Sequence, residues 1–467
     1  MKKSENFSEW YSEIVEVAGL TDKRYPIKGM NVWTPYGWKL MRLIDETMRT
    51  EMEKTGHSEV CFPLLIAEDQ FAKEAEHIKG FGDEVYWVTK AGGEELEVKL
   101  LLRPTSETAM YPIFALWVRS HADLPLKTFQ LVNTFRYDTK QTRAFIRVRE
   151  IHFFEAHTCH TDFEDAERQI IEDLEIMKRL GKKLCLPFLI LKRPDWDKFP
   201  GAFYSLAADS LMPSGRTMQI GTIHQYKKNF SKPYNIIYED ESGEHRHVHQ
   251  TTYGMSERLV GAIVGVHGDD QGLIIPPDVA PYQVVIVPIL AKGIQEEIIE
   301  ESKKLETQLK EAGFRVILDV REVRPGSKYF DWEIRGVPLR LELGKRDMDS
   351  KVVTFARRDL GKREEVEIGN LIPKVKETLS EISENLLNRA QQMVAETTSF
   401  ADSLEDVRKA LGIVKVGWCG NEGCGLEMEE STEMKVLGTP FEKEEYSGQC
   451  LICQKPTDIV AYMAKTY

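Results

Sequence analysis

One charged stretch limits the fold of this chain most strongly, because it places arginines and carboxylates inside a pattern typical of β-strand. Residues 133–158 read NTFRYDTKQTRAFIRVREIHFFEAHT. Strand-like runs at 127–134 and 144–157 predict two paired strands. Side chains alternate between the two faces of a strand, so one face mostly packs and the other carries chemistry. The second face is predicted to contain Phe145, Arg147, Arg149, Ile151, Phe153, Glu155 and His157, opposite Ile146, Val148 and Phe154.

Mixed charge on a strand is usually a solvated surface with cross-strand salt bridges, and that alternative is kept open here. Interleaved aromatic residues and the neighbouring segments favour a ligand site instead. In LLRPTSETAMYPIFALW, Thr105 or Ser106 is suited to cap a helix, but a cap does not explain Glu107. In PSGRTMQIGTIH, a turn at residues 213–215 precedes three further polar candidates, Gln219, Thr222 and His224.

A fourth segment, YGMSERLVGAIVGVHGD, predicts a helix that begins directly after Arg258. A cation at a helix N-terminus opposes the helix dipole unless an anion compensates it. Two anions fit this position: the adjacent Glu257 carboxylate, or a phosphate of a ligand. The neighbouring arginines favour the ligand.

Four of the seven cysteines lie close together near the end of the chain. They are Cys419 and Cys424 in WCGNEGC, and Cys450 and Cys453 in CLIC. Two close pairs of thiolates on glycine-rich turns are typical of a tetrahedral zinc site, and four cysteine ligands leave no open position for catalysis. The alternative is four reduced thiols in a small core. A structural zinc site is the favoured interpretation.

The pattern along the chain predicts three domains. Residues 1–277 mix amphipathic helices, such as 38–54, with short strands, such as 60–66, and a mostly antiparallel sheet is expected. Prolines in IIPPDVAPY mark a boundary, after which strands and helices alternate in a largely parallel α/β domain without a GxGxxG motif. A polar helix at 372–394 leads into the cysteine-containing segment.

Composition excludes several classes of protein. A net charge of -13 argues against a non-specific nucleic-acid coater, whose binding depends on excess lysine and arginine. The sequence contains no apolar run near the ~20 residues of a membrane span, and the start, MKKSENFSEWYSEI, carries charges where a signal peptide is apolar. A cytoplasmic protein without a membrane partner is expected.

Taken together, these segments resemble the three signature motifs of the class II aminoacyl-tRNA synthetases, and specifically prolyl-tRNA synthetases of the archaeal and eukaryotic type. Motif 1 resembles GHSEVCFPLLI, motif 2 resembles TFRYDTKQTRAFIRVRE and motif 3 resembles YGMSERLVGAIVG. RPTSE and WDKFPGA are similar to wording specific to this family. The resemblance covers nearly the whole chain and leaves no room between His157 and Gln219 for the large editing insertion of bacterial-type members.

The resemblance implies an α+β fold: a class II catalytic domain with an antiparallel sheet at 1–277, an anticodon-binding α/β domain at 278–385 and a small zinc-binding domain at 386–467. It implies activation of L-proline with ATP and Mg²⁺, transfer to tRNA-Pro, and a homodimer with motif 1 at the interface. Arg136 and Arg258 are the implied catalytic residues. The implied ATP contacts are Arg136, Asp138, Arg147, Val148, Gln219, Thr222, Ser256 and Arg258.

The same resemblance implies a proline pocket and an anticodon surface. The proline pocket is expected to contain Thr105, Glu107, Arg136, Phe153, Glu155, His157 and His224. For the anticodon, DVREVRPGSKYFDWE concentrates Arg321, Arg324 and Lys328, although a solvated helix face explains them nearly as well.

Three positions depart from the family pattern: Asp138 replaces the usual glutamate, Phe203 replaces another glutamate, and YKKNFSK stands where LGQNFSK is expected. Two alternative functions follow from these departures. One is a diverged paralogue that activates an amino acid for an acceptor other than tRNA. The other is an inactive, synthetase-like RNA-binding protein, which the presence of Arg136 and Arg258 disfavours.

Overall fold

The computed structural model describes residues 2–74, 83–137 and 140–467. The helices of this part are α1 (Phe7–Val17), α2 (Pro35–Lys54), α3 (Glu68–Glu74), α4 (Glu107–Trp117), α5 (Phe163–Lys183), α6 (Arg258–His267), α7 (Gln295–Glu311), α8 (Pro325–Ile334), α9 (Lys345–Ser350), α10 (Leu371–Glu396), α11 (Leu404–Lys409) and α12 (Glu422–Thr432). The strands are β1 (Thr21–Asp22), β2 (Val32–Trp33), β3 (Ser58–Glu59), β4 (Leu65–Ala67), β5 (Tyr86–Ala91), β6 (Glu94–Leu102), β7 (Leu126–Phe135), β8 (Glu150–His160), β9 (Leu189–Lys192), β10 (Tyr204–Leu211), β11 (Arg216–Lys227), β12 (Ile237–Glu239), β13 (His245–His247), β14 (His249–Ser256), β15 (Val284–Pro288), β16 (Val316–Leu318), β17 (Leu339–Leu343), β18 (Val352–Arg357), β19 (Arg363–Glu367), β20 (Thr398–Phe400), β21 (Ile413–Gly417), β22 (Lys435–Pro440), β23 (Gly448–Gln449), β24 (Pro456–Thr457) and β25 (Val460–Thr466).

The main sheet has the strand order β20-β21-β25-β22-β9-β10-β11-β14-β8-β7-β3. Within the run β9-β10-β11-β14-β8-β7 successive strands are antiparallel to one another, which confirms the mostly antiparallel core predicted from the sequence. Apolar side chains of α1, α2, α5 and α6 share one hydrophobic core with this sheet. The predicted helix at 38–54 is confirmed as α2.

The charged strand is shorter than the alternating pattern predicts. β8 begins only at Glu150, and residues 144–146 form a turn closed by two hydrogen bonds of 2.8 Å between the backbones of Arg143 and Arg147. Phe145 has a φ of 64° in this turn, so the strand alternation expected for residues 144–149 is wrong. It applies from Ile151 onwards. The continuous strand predicted at 60–66 is also wrong: β3 ends at Glu59, and only the last two residues of the segment belong to a strand, β4, after Pro63, which lacks a backbone donor.

A second sheet forms the following α/β unit, in the order β16-β15-β17-β18-β19. Its first three strands are parallel, and the connecting helices are α7 and α8, as the alternating sequence pattern predicts. β18 and β19 add an antiparallel edge. No helix among the described residues is both long enough and apolar enough to cross a bilayer.

The cysteine-containing segment extends the main sheet rather than standing apart from it. β22 pairs with β9, with Thr439 opposite Lys192, and β25 pairs with β11. The long helix α10 confirms the helix predicted at 372–394 and runs through residues 385 and 386 without a break. The end of the chain is therefore joined by backbone hydrogen bonds to the strands that follow α5.

Three buried histidines predict that the protein loses stability in mild acid. Burial lowers the pKa of His57, His224 and His267 from 6.5 to about 3. Between those values the unfolded chain binds protons that the folded chain does not, so stability falls as the pH drops below about 6.5. From pH 7 to pH 5 each histidine should lower the free energy of unfolding by about 2 kcal/mol. Denaturation of His267→Gln at both pH values should show a smaller loss, and an equal loss would contradict the assignment.

Candidate active site

A cavity of about 500 Å³ lies against β8, β11 and β14 and reaches the turn before β8 and the first residues of α4 and α6. It brings together candidates from four distant segments of the chain. The predicted residues that line it are Thr105, Glu107, Arg136, Arg147, Val148, Phe153, Glu155, Gln219, Thr222, His224, Ser256 and Arg258. Asp138 lies outside the described residues, and His157 is fully buried behind the cavity wall.

Two carboxylates form one end of the cavity. Glu107, at the start of α4, accepts hydrogen bonds from the hydroxyls of Thr105 and Tyr226, the latter at 3.2 Å. Glu155 accepts from Ser106, from Gln130 at 2.8 Å and from Nε2 of His157 at 2.9 Å. Ser106 occupies the N-cap position of α4 but makes no capping bond, because its hydroxyl points to Glu155.

Glu155 and His157 form a buried ion pair. Burial alone would raise the pKa of Glu155, but hydrogen bonds from His157, Ser106 and Gln130 lower it below its ordinary value. Burial likewise opposes the charge on His157, and the Glu155 carboxylate raises its pKa above the ordinary value. Tyr111 contacts the other ring nitrogen, Nδ1, at 3.1 Å. His157 therefore holds Glu155 ionised from behind and does not contact the cavity itself.

Aromatic rings form the wall beside these carboxylates. Phe199 stacks on His224 with ring centroids 4.7 Å apart, and His224 contacts the Ser205 hydroxyl at 2.8 Å through Nδ1. The pKa of about 3 keeps the His224 ring neutral near pH 7. Phe153 packs on Gly254, where a Cβ atom would lie only 3.0 Å from the ring. The result is a compact, largely apolar compartment next to buried negative charge.

Arginines from motifs 2 and 3 face the other end of the cavity, held by backbone carbonyls. Nε of Arg136 donates to Pro104 O at 2.9 Å. Arg258 donates through Nε to Ile146 O at 3.0 Å and through Nη1 to Gln219 O at 3.2 Å. These contacts fix the orientation of both guanidinium groups.

Glu257 is a poor counter-ion for Arg258. Its carboxylate is buried and accepts a hydrogen bond from the backbone of His152, and burial raises its pKa to about 8. Near pH 7 this carboxyl group is mostly uncharged. Of the two anions considered for Arg258, the geometry therefore favours a ligand phosphate.

Sequence reasoning missed several lining residues. Arg193, Asp197, Phe199 and Ser205 lie in or near the segment RPDWDKFPGA, whose last seven residues resemble the family without an assigned role. Glu84, just before β5, had no sequence signal. Other lining residues that were not predicted are Phe145, Ile146, Ile151, Pro200, Ile220, Gly221, Thr252, Gly254, Met255 and Glu257.

Two of the three departures from the family pattern, Phe203 and the YKKNFSK segment, lie near one another, whereas Asp138 lies outside the described residues. Tyr226 donates to Glu107, and the adjacent Lys227 places its ammonium 3.2 Å from the ring centroid of Phe203. Phe203 is therefore partly covered by a cation and lies outside the cavity lining.

The four cysteines of the tail gather at one point. Their sulfurs all lie within 4.8 Å of one another, and Cys419 and Cys453 are 3.7 Å apart. A regular tetrahedron with Zn–S bonds of ~2.3 Å has sulfur–sulfur edges of about 3.8 Å. Backbone donors lower the pKa of Cys450 to about 7 against the effect of burial, whereas burial raises the pKa of Cys419 and Cys424. This donor set could hold a zinc ion.

The predicted anticodon residues are not grouped as a free cationic patch. Lys328 is 1% exposed, and its ammonium donates to Asp319 O at 2.8 Å. Arg321 is paired with Asp319 and Asp331. Arg324 precedes α8 as its N-cap residue. A cavity of about 330 Å³ in the same α/β unit is instead lined by Trp332, Glu333, Arg340, Arg357, Arg358 and Arg363, among others.

Comparison with known proteins identifies the family of the chain. Residues 86–267 match the tRNA synthetase class II core domain (G, H, P, S and T), residues 283–378 an anticodon binding domain, and residues 402–467 the prolyl-tRNA synthetase C-terminal domain. The proline--tRNA ligase of Thermococcus kodakarensis is 54% identical, over 100% of this chain and 99% of the relative. That of Pyrococcus horikoshii is 55% identical, over 99% and 98%.

A solved structure shows the same architecture. Giardia lamblia prolyl-tRNA synthetase, in complex with prolyl-adenylate, superposes with a TM-score of 0.97 at 33% identity, covering 100% of this chain and 99% of that one. The chain therefore belongs to the prolyl-tRNA synthetase family and has the mixed α+β fold of the class II aminoacyl-tRNA synthetases.

Proposed function

We propose that the protein is a proline--tRNA ligase that activates L-proline with ATP and transfers it to tRNA-Pro. One observation carries this proposal: a single cavity has buried carboxylates beside an apolar compartment at one end and fixed arginines at the other. Proline requires the first arrangement, because it is a secondary ammonium on an apolar ring. ATP requires the second, because its phosphates are anionic.

Each end of the cavity has an assigned role. Glu107 and Thr105 receive the proline ammonium, and Phe153, Phe199 and His224 surround the ring. Glu155 lies at the floor of the pocket, where His157 holds it in place and balances its charge. Arg136 binds the proline carboxylate and the α-phosphate, and Arg258 binds the γ-phosphate. The remaining assigned nucleotide contacts are Asp138, Arg147, Val148, Gln219, Thr222 and Ser256.

The reaction follows from this alignment. A carboxylate oxygen of proline attacks the α-phosphorus of ATP, the bond from that phosphorus to the bridging oxygen breaks, and pyrophosphate leaves. Negative charge that builds on the phosphoryl oxygens is stabilised by Arg136, whose orientation is already fixed by Pro104. Aligning two bound substrates supplies the rest of the rate enhancement, and no general base is needed. A ribose hydroxyl at the 3′ end of the tRNA then attacks the prolyl carbonyl and releases AMP.

Magnesium is assigned to the nucleotide. Among the described residues, no group of three or more histidine, cysteine or carboxylate ligands gathers apart from the four cysteines, and Glu257 is mostly uncharged near pH 7. This arrangement fits a cation that enters on the ATP phosphates, as is usual for Mg²⁺. When bound, the ion neutralises phosphate charge.

Zinc is assigned to Cys419, Cys424, Cys450 and Cys453, with a structural role. The spacing of the sulfurs supports this assignment, and four thiolates leave no position for a substrate. Cys424 lies in α12, whose N-cap Asn421 accepts the backbone N–H of Cys424 at 3.3 Å.

A homodimer is proposed from an exposed apolar surface at motif 1. Leu64 and Leu65 are 39% and 43% exposed, and Leu116 and Trp117, at the end of α4, are 59% and 47% exposed. Trp117 lies against Phe62 with ring centroids 5.7 Å apart, which places the end of α4 beside the motif 1 segment. Exposed apolar groups of this kind mark an interface.

The proposed function implies a cytoplasmic location. The proposed functional units are residues 1–277, 278–385 and 386–467.

The anticodon is proposed to bind the arginine-lined cavity of the α/β unit. Arg340 lies 4.0 Å from the Tyr329 ring centroid and is paired with Glu333 at 2.9 Å. The arginine offers donors to the O6 and N7 atoms of guanine, and the glutamate accepts from its N1–H and N2–H groups. The predicted Arg321, Arg324 and Lys328 lie in the same unit, and Arg321 and Arg324 are tested against Arg340 below.

Arg340→Gln is expected to weaken tRNA charging without changing amino-acid activation. Loss of one bidentate base contact costs ~1–3 kcal/mol, so the KM for tRNA-Pro should rise roughly tenfold or more. The matched control is the double variant of Arg321 and Arg324 to alanine, which should leave that KM nearly unchanged. The opposite pattern would assign the anticodon surface to the residues before α8.

Charging of tRNA with radiolabelled proline tests the proposed function as a whole. Proline should accumulate on tRNA-Pro and on no other tRNA. Activation of proline without charging would favour the diverged paralogue, and absence of both would favour the inactive RNA-binding protein. The full-length similarity to proline--tRNA ligases favours neither alternative.

A further inference from the structure

Arg193 is a buried cation that the proposed mechanism does not use. It follows β9, lines the cavity and is 8% exposed. Its guanidinium joins three parts of the fold. Nη2 donates to Asp209 at 2.8 Å and to the side-chain oxygen of Gln219 at 3.0 Å, while Nη1 donates to the backbone oxygen of Leu437 at 2.5 Å.

The contact with Leu437 connects the cavity to the C-terminal domain. Leu437 lies in β22, which pairs with β9 next to Arg193. Gly438, with a φ of 127°, lets the two backbones approach closely, because a Cβ there would lie 2.0 Å from Lys192 O. Trp196 packs on Gly425 of α12, the helix that contains Cys424. The unit that contains the four cysteines therefore packs directly against the segment around Arg193.

The contact with Gln219 reaches the nucleotide end of the cavity. Asp209 and Gln219 face each other across β10 and β11, at an irregularity in the register. Arg193 donates a hydrogen bond to the side-chain oxygen of Gln219, and Arg258 donates one to its backbone oxygen at 3.2 Å. Because a glutamine side chain has several rotatable bonds, the hydrogen bond from Arg193 selects the conformation in which its amide NH₂ group remains available to a ligand.

We propose that Arg193 is a positioning residue. It bonds to the backbone of the C-terminal domain and thereby holds the side chain of Gln219 in the orientation that binds ATP. Its nearer ionic partner is Asp209, at 2.8 Å, whose buried Oδ2 has no hydrogen-bond partner among the described residues, and Asp197 lies 3.6 Å from its Nε. Asp209 therefore anchors the guanidinium, and the two remaining contacts align β22 and Gln219 with each other. The ATP end of the cavity then depends on a strand more than two hundred residues away in the chain. This inference rests on the proposed assignment of Gln219 to ATP.

The test uses the full-length chain and measures the dissociation constant of ATP without proline, so that it does not depend on the complete reaction. Arg193→Leu should weaken ATP binding about tenfold, the order expected for a charge-assisted hydrogen bond. Arg193→Lys keeps the ion pair with Asp209 but cannot reach both other acceptors, and should show a similar loss with little change in melting temperature. The KM for proline in pyrophosphate exchange should change less than about twofold.

Coupling to Gln219 separates positioning from a general loss of structure. In a Gln219→Leu background, Arg193→Lys should have no further effect on ATP binding, since its target is already removed. The proposal would be overturned if the two changes had fully additive effects on ATP binding, or if Arg193→Lys bound ATP as tightly as the unmodified chain. Failure of the unmodified chain to bind ATP would overturn it as well. A chain that binds ATP but shows no proline-dependent exchange would refute the proposed function while leaving the role of Arg193 measurable.

Discussion

Arg136→Ala is expected to lower proline-dependent exchange of pyrophosphate into ATP by a factor of ~10²–10³, the range seen when a fixed donor to a developing oxyanion is removed. Arg136 is the residue assigned to both the attacking carboxylate and the phosphorus under attack, so its loss affects alignment and charge together. Stability should change little, because a hydrogen bond such as that from Arg136 to Pro104 O contributes only about 1 kcal/mol. Exchange rates and a denaturant melt of the same preparation measure both effects.

A surface arginine provides the matched control. Arg246 is exposed and paired with Asp240 at 2.7 Å, and Arg246→Ala should retain full exchange. Arg136→Lys keeps the charge but not the planar donor geometry, so its exchange rate should lie between those of Arg136→Ala and the unmodified protein. If Arg136→Ala kept its activity but melted far below the unmodified protein, motif 2 would be stabilising the fold rather than binding substrate.

Cys450→Ser is expected to remove about one zinc ion per chain and to lower the melting temperature by several degrees. Metal binding by four thiolates contributes to folding free energy, and the cysteine cluster carries much of the small core around Trp418 and Met428. Because β22 and β25 belong to the main sheet, the loss should extend beyond the tail. Atomic emission spectroscopy measures the zinc content, and calorimetry measures the melting temperature.

The control for this change is Cys61→Ser. Cys61 is an exposed free cysteine in the first domain, and replacing it should leave both zinc content and melting temperature unchanged. A strong chelator should reproduce the effect of Cys450→Ser on the unmodified chain. Protein that contains no zinc as purified, and whose melting is unaffected by chelator, would contradict the assignment of the four cysteines.

The sequence predicted the chemistry of the site better than its local geometry. Motif residues such as Arg136 and Arg258 and the four cysteines were identified because their residue types are unusual for the predicted elements. The turn at Phe145 was missed, because alternating hydrophobicity between residues 144 and 149 looks like strand, and a positive φ leaves no trace in the pattern. The burial of His157 and Lys328 was missed for a similar reason. His157 lies behind the Glu155 carboxylate and Lys328 bonds to the backbone oxygen of Asp319, and the burial of both depends on packing by other parts of the chain.

Contacts between distant segments set the other limit. The pairing of β22 with β9 and the contact of Arg193 with Leu437 join residues that are more than 240 positions apart, and no local propensity reports such a contact. The grouping of the four cysteines could therefore be predicted, but not that their segment is part of the main sheet. The α/β unit was predicted more completely, because its helices and strands alternate within short distances along the sequence.

The most direct test of the central claim is amino-acid-dependent exchange of pyrophosphate into ATP, measured with purified protein, each amino acid separately and no tRNA. The account predicts exchange with proline, because the cavity places Glu107, an apolar compartment and Arg136 within one site. Exchange with a different amino acid, or with none, would contradict the assignment of this cavity to proline activation.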